Sequence, residues 1–445
     1  MSDYVYILES HLSPDQNRVV EDVQAAAALA NMNLFLTGGA MRDMLAGFRI
    51  RDLDFVVEGP ALKMAKTISE RSGAQIVSTD EIRKCAELVF ASGVTASISM
   101  SRQEKYGRTG SKPQVTQATI QEDLRGRDFT CNAIALSLNK ASRGLLLDPM
   151  NGLADIERRE LRAISTYGFY DDPSRLLRLL RFQVRLGFTI EERTQMQVSN
   201  AREAEVEKLI PARVLGEELR RISMEDTPSE ILKALEAANL MPLFSPALVG
   251  PKLNLPGIVR FEKNSKLLPD DSTSRSARIG PFLYAFTEKL TAKEKLGLIK
   301  ATDMKKPDLD PWQKLEARAK KLETSLRAAR VKKASHVYQI MTAAAPDEIL
   351  FQLYHSTFKP VQERMRNYYQ KYLPLLQEIT PEEWATVEGK PGTPKYNKAR
   401  DSFIAIRLDR RPKKPPVVEE APVVPPTPPP SPWGESSMAR RGRQG

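Results

Sequence analysis

Two aspartates that could bind a metal ion stand two residues apart, Asp52 and Asp54, in the segment RDLDFVV. Side chains at positions i and i+2 of a β-strand point to the same face of a sheet. Two carboxylates placed side by side repel each other unless a cation lies between them. Mg²⁺ prefers such oxygen ligands and usually takes only one or two from the protein, leaving the rest to water and substrate phosphates. The pair therefore predicts a magnesium site.

A glycine turn just upstream could hold the phosphates. The segment LFLTGGAMRDMLAG runs from an apolar strand into Gly38 and Gly39, and then into a short helix predicted over 41–46 that Gly47 ends. A strand, a glycine turn and a helix N-terminus together form a phosphate cradle, because backbone N–H groups and the helix dipole favour an anion. The turn favours the metal site over the alternative, an ordinary strand with two solvated aspartates.

The elements that must position these residues form an α/β unit in about the first 150 residues. Ser13 is the predicted N-cap of a helix that starts with Pro14 and runs to about Asn31. The segment 102–113 is predicted as a loop with Lys105, Arg108 and Lys112, and a flexible loop is expected within 100–118. The other elements predicted from apolar periodicity are strand 34–37, strand 52–57, a helix from Pro60 to Gly73, and strands 74–78, 86–91 and 94–100.

Beyond Ala154 the strand pattern disappears and amphipathic helices are expected. Residues 246–275 are rich in proline, lysine and serine, which predicts an irregular connection. Beyond Arg411 the proline-rich composition predicts a disordered or polyproline II tail. The helices predicted after the irregular connection are 281–300, 311–333, 335–343, 346–357 and 360–378.

Composition limits the classes of protein that fit. The 445 residues carry a net charge of +11, which favours an anionic partner over a merely basic soluble protein. Cys85 and Cys131 are too few for a disulfide framework or a cysteine-rich zinc site. The histidines His11, His336 and His355 stand beside no aspartate, which excludes a histidine-aspartate metal phosphohydrolase.

Nothing in the sequence predicts a membrane partner. The N-terminal segment MSDYVYILESHLSPDQ lacks a signal-peptide pattern, and no apolar run approaches the roughly 20 residues of a membrane span. A cytoplasmic location is expected. The predicted helix 311–333 is strongly basic, which favours either a solvated face or a contact with an RNA backbone. Its basic residues are Lys314, Arg318, Lys320, Lys321, Arg327, Arg330, Lys332 and Lys333.

Several longer motifs follow one another in a set order along the chain. They are GGAMRD with RDLDF, DLRGRDFTCNAIAL, LLDPMNGLADIERRELRAI and YDDPSRLLRLLRFQVRLGF. In this order they resemble the motifs of class II tRNA nucleotidyltransferases and bacterial poly(A) polymerases, a family within the polymerase β-like nucleotidyltransferases. The resemblance covers about 34–245 and is faint beyond.

The resemblance implies an α+β fold: an N-terminal nucleotidyltransferase head with a small mixed β-sheet flanked by helices, followed by an all-helical neck, body and tail. The implied divisions are a catalytic head over 1–150, a helical neck with a base-selecting helix over 151–245, a helical body and RNA-binding tail over 246–410, and a proline-rich disordered tail over 411–445.

The resemblance also implies roles for single residues. Gly38, Gly39 and Arg42 would bind the triphosphate of the incoming nucleotide, and Asp52 and Asp54 would hold Mg²⁺. Asp43 fits a turn-holding role as well as a reactive one. The remaining implied nucleotide-binding residues are Arg127, Asp128, Asp172, Arg175, Arg178 and Arg181.

Asp172 and Arg175 are the implied base-selecting pair. They stand at i and i+3 of a helix predicted to begin near Pro173, so they can share a face and brace one another. An aspartate accepts a hydrogen bond from an exocyclic amine and an arginine donates in a planar fork, so the pair could accept C or A and refuse G and U. Arg178 and Arg181 would face phosphates.

The chain departs from the family motifs at three positions. Gly126 stands where an arginine is common, and Asp171 replaces a usual glutamate. Ser97 stands where the superfamily often has a third acid. Either the site works with two carboxylates, or the third comes from one of the acids nearby, Glu104, Glu122 or Asp123.

The implied activity is addition of C, C and A to tRNA 3′ ends from CTP and ATP with Mg²⁺. The alternatives are an enzyme that adds only A or only CC, a poly(A) polymerase, and a catalytically silent RNA-binding relative.

Overall fold

The computed structural model describes residues 3–410, so the predicted proline-rich tail 411–445 lies outside the described residues. A seven-stranded sheet forms the centre of the N-terminal part, with strand order β3-β4-β5-β2-β1-β8-β9. Its strands are β1 Leu34–Thr37, β2 Leu53–Val57, β3 Gln75–Asp80, β4 Cys85–Val89, β5 Thr95–Met100, β8 Ala135–Ser137 and β9 Leu146–Leu147.

The sheet is mixed, as predicted. β2 pairs with β5 in parallel, and the other neighbours pair antiparallel. The sheet is strongly apolar where it is covered, because Leu36, Phe55 and Ile98 are fully buried. The predicted fold class, an α+β head followed by a helical remainder, is confirmed.

Helices cover the sheet and position the glycine turn and the segment that carries Asp52 and Asp54. Ser13 forms a capping box with Gln16 at the start of α2, as the sequence predicts. The helix predicted over 41–46 instead begins at Gly38, so the glycine turn is itself the first turn of the helix. The helices are α1 Asp3–His11, α2 Pro14–Leu29, α3 Gly38–Leu45, α4 Ala61–Ser72, α5 Ile120–Arg125 and α6 Gly152–Arg158.

Two strand pairs were not predicted. The loop predicted over 102–113 is part of a hairpin of β6 Arg102–Lys105 and β7 Gln114–Gln117. Its residues are mostly polar, so the apolar alternation that identifies strands is missing. A short parallel pair, β10 Glu160–Leu161 with β11 Thr189–Ile190, lies beyond Ala154, where no strand was expected.

The remainder of the described chain is helical. The segment 246–275, predicted to be irregular, contains the helices Leu255–Ser265 and Ser272–Ser276. The predicted helices 281–300 and 311–333 are each interrupted. Every helix within residues 3–410 is too short or too polar to cross a membrane. The helices are α7 Gly168–Asp171, α8 Arg175–Leu186, α9 Glu192–Glu203, α10 Ala212–Met224, α11 Pro228–Ala237, α12 Leu255–Ser265, α13 Ser272–Ser276, α14 Ile279–Thr287, α15 Ala292–Thr302, α16 Lys306–Gln313, α17 Leu315–Arg327, α18 Ala334–Ala343, α19 Pro346–His355, α20 Lys359–Asn367, α21 Leu373–Gln377, α22 Pro381–Ala385 and α23 Pro394–Asp409.

Helix α8 lies between two hydrophobic cores. Leu176 and Leu179 pack into the core that holds the sheet. Leu177, on another face of the same helix, packs into the core of the helical remainder. Because apolar side chains are buried on both sides, the position of α8 relative to the sheet is set by packing.

Candidate active site

The predicted metal-binding aspartates lie at the start of β2 and face β5. Asp52 immediately precedes the strand and accepts a hydrogen bond from Thr95 Oγ1 at 2.7 Å. Asp54 lies opposite Ser97 in the parallel register and accepts a hydrogen bond from its Oγ at 2.9 Å. Burial, together with the charge of Asp52, raises the pKa of Asp54. A cation between the two carboxylates would relieve this repulsion, so the donor set fits Mg²⁺.

The glycine turn touches this pair directly. The Gly39 backbone N–H donates to Asp54 Oδ2 at 3.1 Å. A Cβ on Gly39 would lie 3.1 Å from that oxygen, and a Cβ on Gly38 would lie 3.1 Å from Arg127 Nη1. Gly38 also has a φ of +64°, which favours glycine. The tight approaches favour glycine at both positions, and the positive φ favours it further at Gly38; the turn places the N-terminus of α3 beside the carboxylates.

Ser97 occupies the position on β5 where a third acid was considered. Each alternative acid has partners of its own. Glu104 binds Arg102 and Arg83, Glu122 belongs to the capping box of α5, and Asp123 pairs with Arg127 at 3.0 Å. No three acidic, histidine or cysteine side chains of residues 3–410 converge as metal ligands. Within residues 3–410 the candidate metal-binding set is Asp52 and Asp54, with Ser97 beside Asp54.

Arg42 is not exposed to a ligand. Its side chain is 3% exposed and donates to Asp43 Oδ1 at 2.7 and 2.9 Å. It also donates to Asn132 Oδ1 at 2.7 Å and lies over the Phe182 ring. The structure therefore does not place Arg42 against a triphosphate, and its predicted contact would require it to leave these partners.

A chain of polar contacts leads from Arg42 to the neck. Asn132 Nδ2 donates to Asp128 Oδ1 at 2.9 Å, and Arg178 lies 3.4 Å from Asp128. Arg178 also donates to Asp172 Oδ2 at 2.9 Å. These contacts bring the predicted residues Asp128, Asp172 and Arg178 together. They connect the motif DLRGRDFTCNAIAL with the motif YDDPSRLLRLLRFQVRLGF.

The predicted pairing of Asp172 with Arg175 is wrong in one respect. Helix α8 begins at Arg175, and Asp172 precedes it with its carboxylate bound to Ser174 Oγ and to Arg178. Arg175 instead donates to the backbone oxygens of Gly126 and Arg127, each at 3.2 Å. Pro173 and Ser174 separate Asp172 from α8, so Asp172 lies outside the helix and the expected i, i+3 geometry does not apply.

Arg181 does not face a phosphate site. It is 5% exposed and donates to Glu218 at 2.6 Å and to Glu225 at 3.2 Å. The amphipathic pattern predicted a continuous basic stripe along α8, but carboxylates of α10 cover its C-terminal half. Arg127 remains near the metal pair, where it donates to Asp123 and to Thr37 Oγ1 at 3.1 Å.

The β6–β7 hairpin forms another side of the site. Tyr106, just beyond β6, donates its hydroxyl to Glu104 Oε2 at 2.6 Å. Burial and Glu104 raise the pKa of Tyr106, and the charge of Asp172 adds to the effect. The tip of the hairpin reaches the neck, where a Cβ on Gly110 would lie 2.7 Å from the Leu209 backbone oxygen.

The predicted basic helix 311–333 is shorter and partly neutralised. Helix α17 ends at Arg327, so Lys332 and Lys333 lie beyond it. Arg318 is paired with Asp347 and Glu348. Lys320 and Lys321 are exposed and form no ion pair among the described residues. Within residues 3–410 they are the basic residues of α17 without an ion pair, although the charge of Lys321 acts on Glu348.

Sequence reasoning missed several residues of the site. Asn132 joins Arg42 to Asp128, and it belongs to the motif segment RDFTCN, so the motif itself carried a signal. Arg185 bridges to Asp43 at 2.5 Å, and Arg51 binds Glu225. No local pattern indicates these two pairs, because their partners lie 142 and 174 residues away.

The N-terminal part of the chain is similar to known proteins. Residues 34–162 match the family described as the Poly A polymerase head domain. An A-adding tRNA nucleotidyltransferase of Halalkalibacterium halodurans is 34% identical over 243 residues, 53% of this chain and 56% of the relative. A CC-adding tRNA nucleotidyltransferase of Deinococcus radiodurans is 36% identical over 177 residues, 40% of this chain and 47% of the relative.

The chain thus spans about half the length of these curated relatives. Among solved structures, the apo form II of a CCA-adding enzyme superposes with a TM-score of 0.52. The alignment covers 92% of this chain and 96% of the other, at 23% identity. Similarity at this level shows a shared fold that extends through the helical remainder.

Proposed function

We propose, from the premise that residues 34–162 are a Poly A polymerase head domain, that the protein is a template-independent nucleotidyltransferase acting on tRNA 3′ ends. One observation carries the proposal: Gly39 of the glycine turn donates to Asp54, and Arg42 of the same helix is joined through Asn132 to Asp128, Arg178 and Asp172. The first group suits phosphoryl transfer, and the second suits recognition of a base.

The proposed roles follow from position. The N-terminus of α3 and Arg127 hold the triphosphate beside Asp52 and Asp54. Asp52 and Asp54 would hold Mg²⁺, and the bound ion would supply Lewis-acid activation of the attacking 3′-hydroxyl and charge screening for the leaving pyrophosphate. No histidine base is required, which suits a site built without histidine.

Base selection is assigned to Asp172 with Arg175 and Arg178. The Nε donors of both arginines are buried and have no hydrogen-bond partner within residues 3–410. An unpaired buried donor costs free energy, so a ligand that supplies an acceptor is favoured there. Asp172 accepts from the exocyclic amine of C or A, and the protein then replaces a nucleic-acid template.

The proposed product is the complete CCA end, made from CTP and ATP. Addition of A alone is a second candidate, because the relative that matches 53% of the chain is named A-adding; a CC-adding relative matches 40%. Lys320 and Lys321 are assigned to the tRNA backbone, because they are exposed and unpaired among the described residues.

Three RNA substrates separate these activities. Purified protein is incubated with Mg²⁺ and labelled CTP or ATP on tRNA lacking CCA, tRNA ending in CC, and an unrelated RNA. CCA addition requires both nucleotides to be incorporated on the first tRNA and ATP alone on the second. ATP incorporation without CTP incorporation would identify an A-adding enzyme, and CTP incorporation alone a CC-adding one. Extension of the unrelated RNA with ATP would identify a poly(A) polymerase.

Asp52→Ala and Asp54→Ala test the metal site. Each should abolish incorporation and leave tRNA binding intact, because the pair binds metal and not RNA. Asp15→Ala is the matched control, since Asp15 is exposed and pairs only with Arg18. If the wild-type protein binds tRNA but incorporates nothing with Mg²⁺ or Mn²⁺, the silent RNA-binding alternative replaces the proposal.

A further inference from the structure

A buried carboxylate, Glu225, lies at the centre of a cluster of arginines between head and neck. Glu225 follows the last residue of α10 and is 4% exposed. It accepts hydrogen bonds from Arg51 at 2.7 Å and from Arg181 at 3.2 Å. Arg185 Nε lies 3.7 Å from Glu225 Oε2, the oxygen that also accepts from Arg51. The proposed reaction uses none of these contacts.

The arginines around Glu225 connect it to both catalytic segments of the head. Arg51 immediately precedes Asp52, the first metal-binding aspartate. Arg185 binds Asp43 at 2.5 Å, and Asp43 lies on α3, whose first residues are the glycine turn. The metal-binding segment is therefore connected to Glu225 through Arg51. The helix of the phosphate cradle is connected to the same carboxylate through Asp43 and Arg185.

The same cluster reaches the base-selecting helix. Arg181 and Arg185 belong to α8, which begins with Arg175 and carries Arg178 one turn later. Their guanidinium groups fix the C-terminal half of this helix against Glu225. A single neck carboxylate thus joins the segments that hold phosphate and metal to the helix that contacts the base.

Such a cluster is a poor source of stability, because removing charges from water costs about as much as their attraction returns. Its value lies in geometry. Apolar packing sets the position of α8 relative to the sheet, and a buried carboxylate bound by several arginines adds directional contacts that allow few alternative arrangements. In nucleotidyl transfer the attacking oxygen must meet a phosphorus atom whose base is held elsewhere, and a displacement of about 1 Å can reduce the rate on the order of 100-fold.

We propose that Glu225 is a positioning residue for nucleotidyl transfer, which holds the Asp52 segment and the α3 turn at a fixed distance from α8. This inference rests on the proposed function. It assigns no contact with substrate to Glu225, only the spacing between groups that have such contacts.

Glu225→Gln tests the inference because it keeps the side-chain volume and removes the charge. The matched control is Glu218→Gln: Glu218 is 2% exposed and also binds Arg181, but its ion pairs are with the neck residues Arg181 and Arg221 alone. Glu225→Gln should lower kcat for ATP and CTP at least 10-fold, with a smaller change in KM and unchanged tRNA affinity. Glu218→Gln should stay within about threefold of wild type, at a comparable loss of Tm.

A second pair of variants approaches the same link from the head. Arg51→Gln should reproduce the kcat loss, whereas Arg49→Gln, which removes an exposed pair with Asp270, should not. The double variant Arg51→Gln/Glu225→Gln should lose less kcat than the product of the two single losses, because both changes break the Arg51–Glu225 pair, while Arg51 also binds Asp226 at 2.6 Å. Arg51→Gln carries the test by itself if Glu225→Gln fails to fold.

Equal kcat values for Glu225→Gln and Glu218→Gln, or for Arg51→Gln and Arg49→Gln, would overturn the positioning role while leaving the proposed function intact. Multiplicative losses in the double variant would do the same. A wild-type protein that incorporates no nucleotide would overturn the proposed function first, and the inference with it.

Discussion

Arg42 illustrates how a side chain beside a phosphate cradle can serve the fold. It follows the glycine turn by three residues, within the segment GGAMRD whose family resemblance implied a triphosphate ligand. Its guanidinium is instead enclosed by Asp43, Asn132 and the Phe182 ring. Its Nε, Nη1 and Nη2 atoms all donate to protein acceptors. Its main contribution is therefore to hold the glycine turn against the segment DLRGRDFTCN, which contains Asn132.

Arg42→Met should therefore reduce stability before it affects nucleotide binding. Removing one partner of a buried ion pair costs about 3 kcal/mol or more, and here Asn132 also loses a donor. Chemical denaturation of the variant measures this loss. Arg49→Met is the control, because its exposed pair with Asp270 should contribute less than about 1 kcal/mol. An unchanged unfolding midpoint with a raised KM for nucleotide would instead indicate direct contact.

The sequence located some site residues well and others poorly. Asp52, Asp54, Gly38 and Gly39 are arranged by a strand, a turn and a hydrogen bond that span few residues, so their spacing predicts their neighbourhood. Arg181 was wrongly assigned to phosphates. The sequence of an amphipathic helix shows on which face its charges lie, but not which residues of other helices cover them. Its covering carboxylate, Glu218, comes from α10, 37 residues later.

At the scale of elements, the hairpin β6–β7 is the feature that sequence patterns missed and the site depends on. It carries Tyr106 near Asp172 and reaches across to the neck at Leu209. The contact at its tip needs glycine twice, for a φ of +68° and for the approach of Gly110 to the Leu209 backbone oxygen. The hairpin therefore bridges head and neck beside the proposed nucleotide site.

Gly110→Ala should detach the tip of this hairpin. Its Cβ would lie 2.7 Å from the Leu209 oxygen, and its backbone conformation would be strained by about 1 kcal/mol or more. Limited proteolysis and amide hydrogen exchange should show faster cleavage and exchange between β6 and β7. Gly107→Ala is the control, because nothing lies within 4 Å of a Cβ there. Equal protection in the two variants would show that the tip contact does not hold the hairpin.

The predicted helix boundaries were wrong where short non-helical stretches interrupt or shorten a helix. The helix predicted near Pro173 begins at Arg175, which separates Asp172 from the face that it was expected to share. The helix predicted over 311–333 ends at Arg327, and the basic residues beyond it do not continue its face. Periodicity registers the apolar side of a helix, whereas caps and tertiary contacts decide where it stops.

For the whole molecule, the interface between head and neck should make stability sensitive to acid. Burial would raise the pKa of Glu225, but Arg185, Arg181 and Arg51 outweigh it and hold the pKa below its ordinary value. Arg178 and Arg175 do the same for Asp128, again against burial. A carboxyl group with a lowered pKa in the folded state stabilises the fold fully above its unfolded pKa, and this contribution is lost as the pH falls towards the folded value.

The Tm should accordingly fall as the pH decreases below the ordinary glutamate value of about 4.3. In Glu225→Gln the decrease over this range should be shallower, because one of the groups responsible is gone. Glu9→Gln is a suitable control, since Glu9 forms an exposed pair with Arg143. Parallel curves for wild type and Glu225→Gln would contradict the assignment.

The charged contacts between head and neck also bear on how related chains could be recombined. A head taken from a relative would have to bring an arginine to the position of Arg51 and an acid to that of Asp43. Otherwise Glu225 would keep only Arg181 and Arg185, and Arg185 would keep only the 3.7 Å pair with Glu225. Because breaking one side of a buried ion pair costs about 3 kcal/mol or more, chimeras that exchange the head together with α8 and α10 should be more stable than chimeras that exchange the head alone.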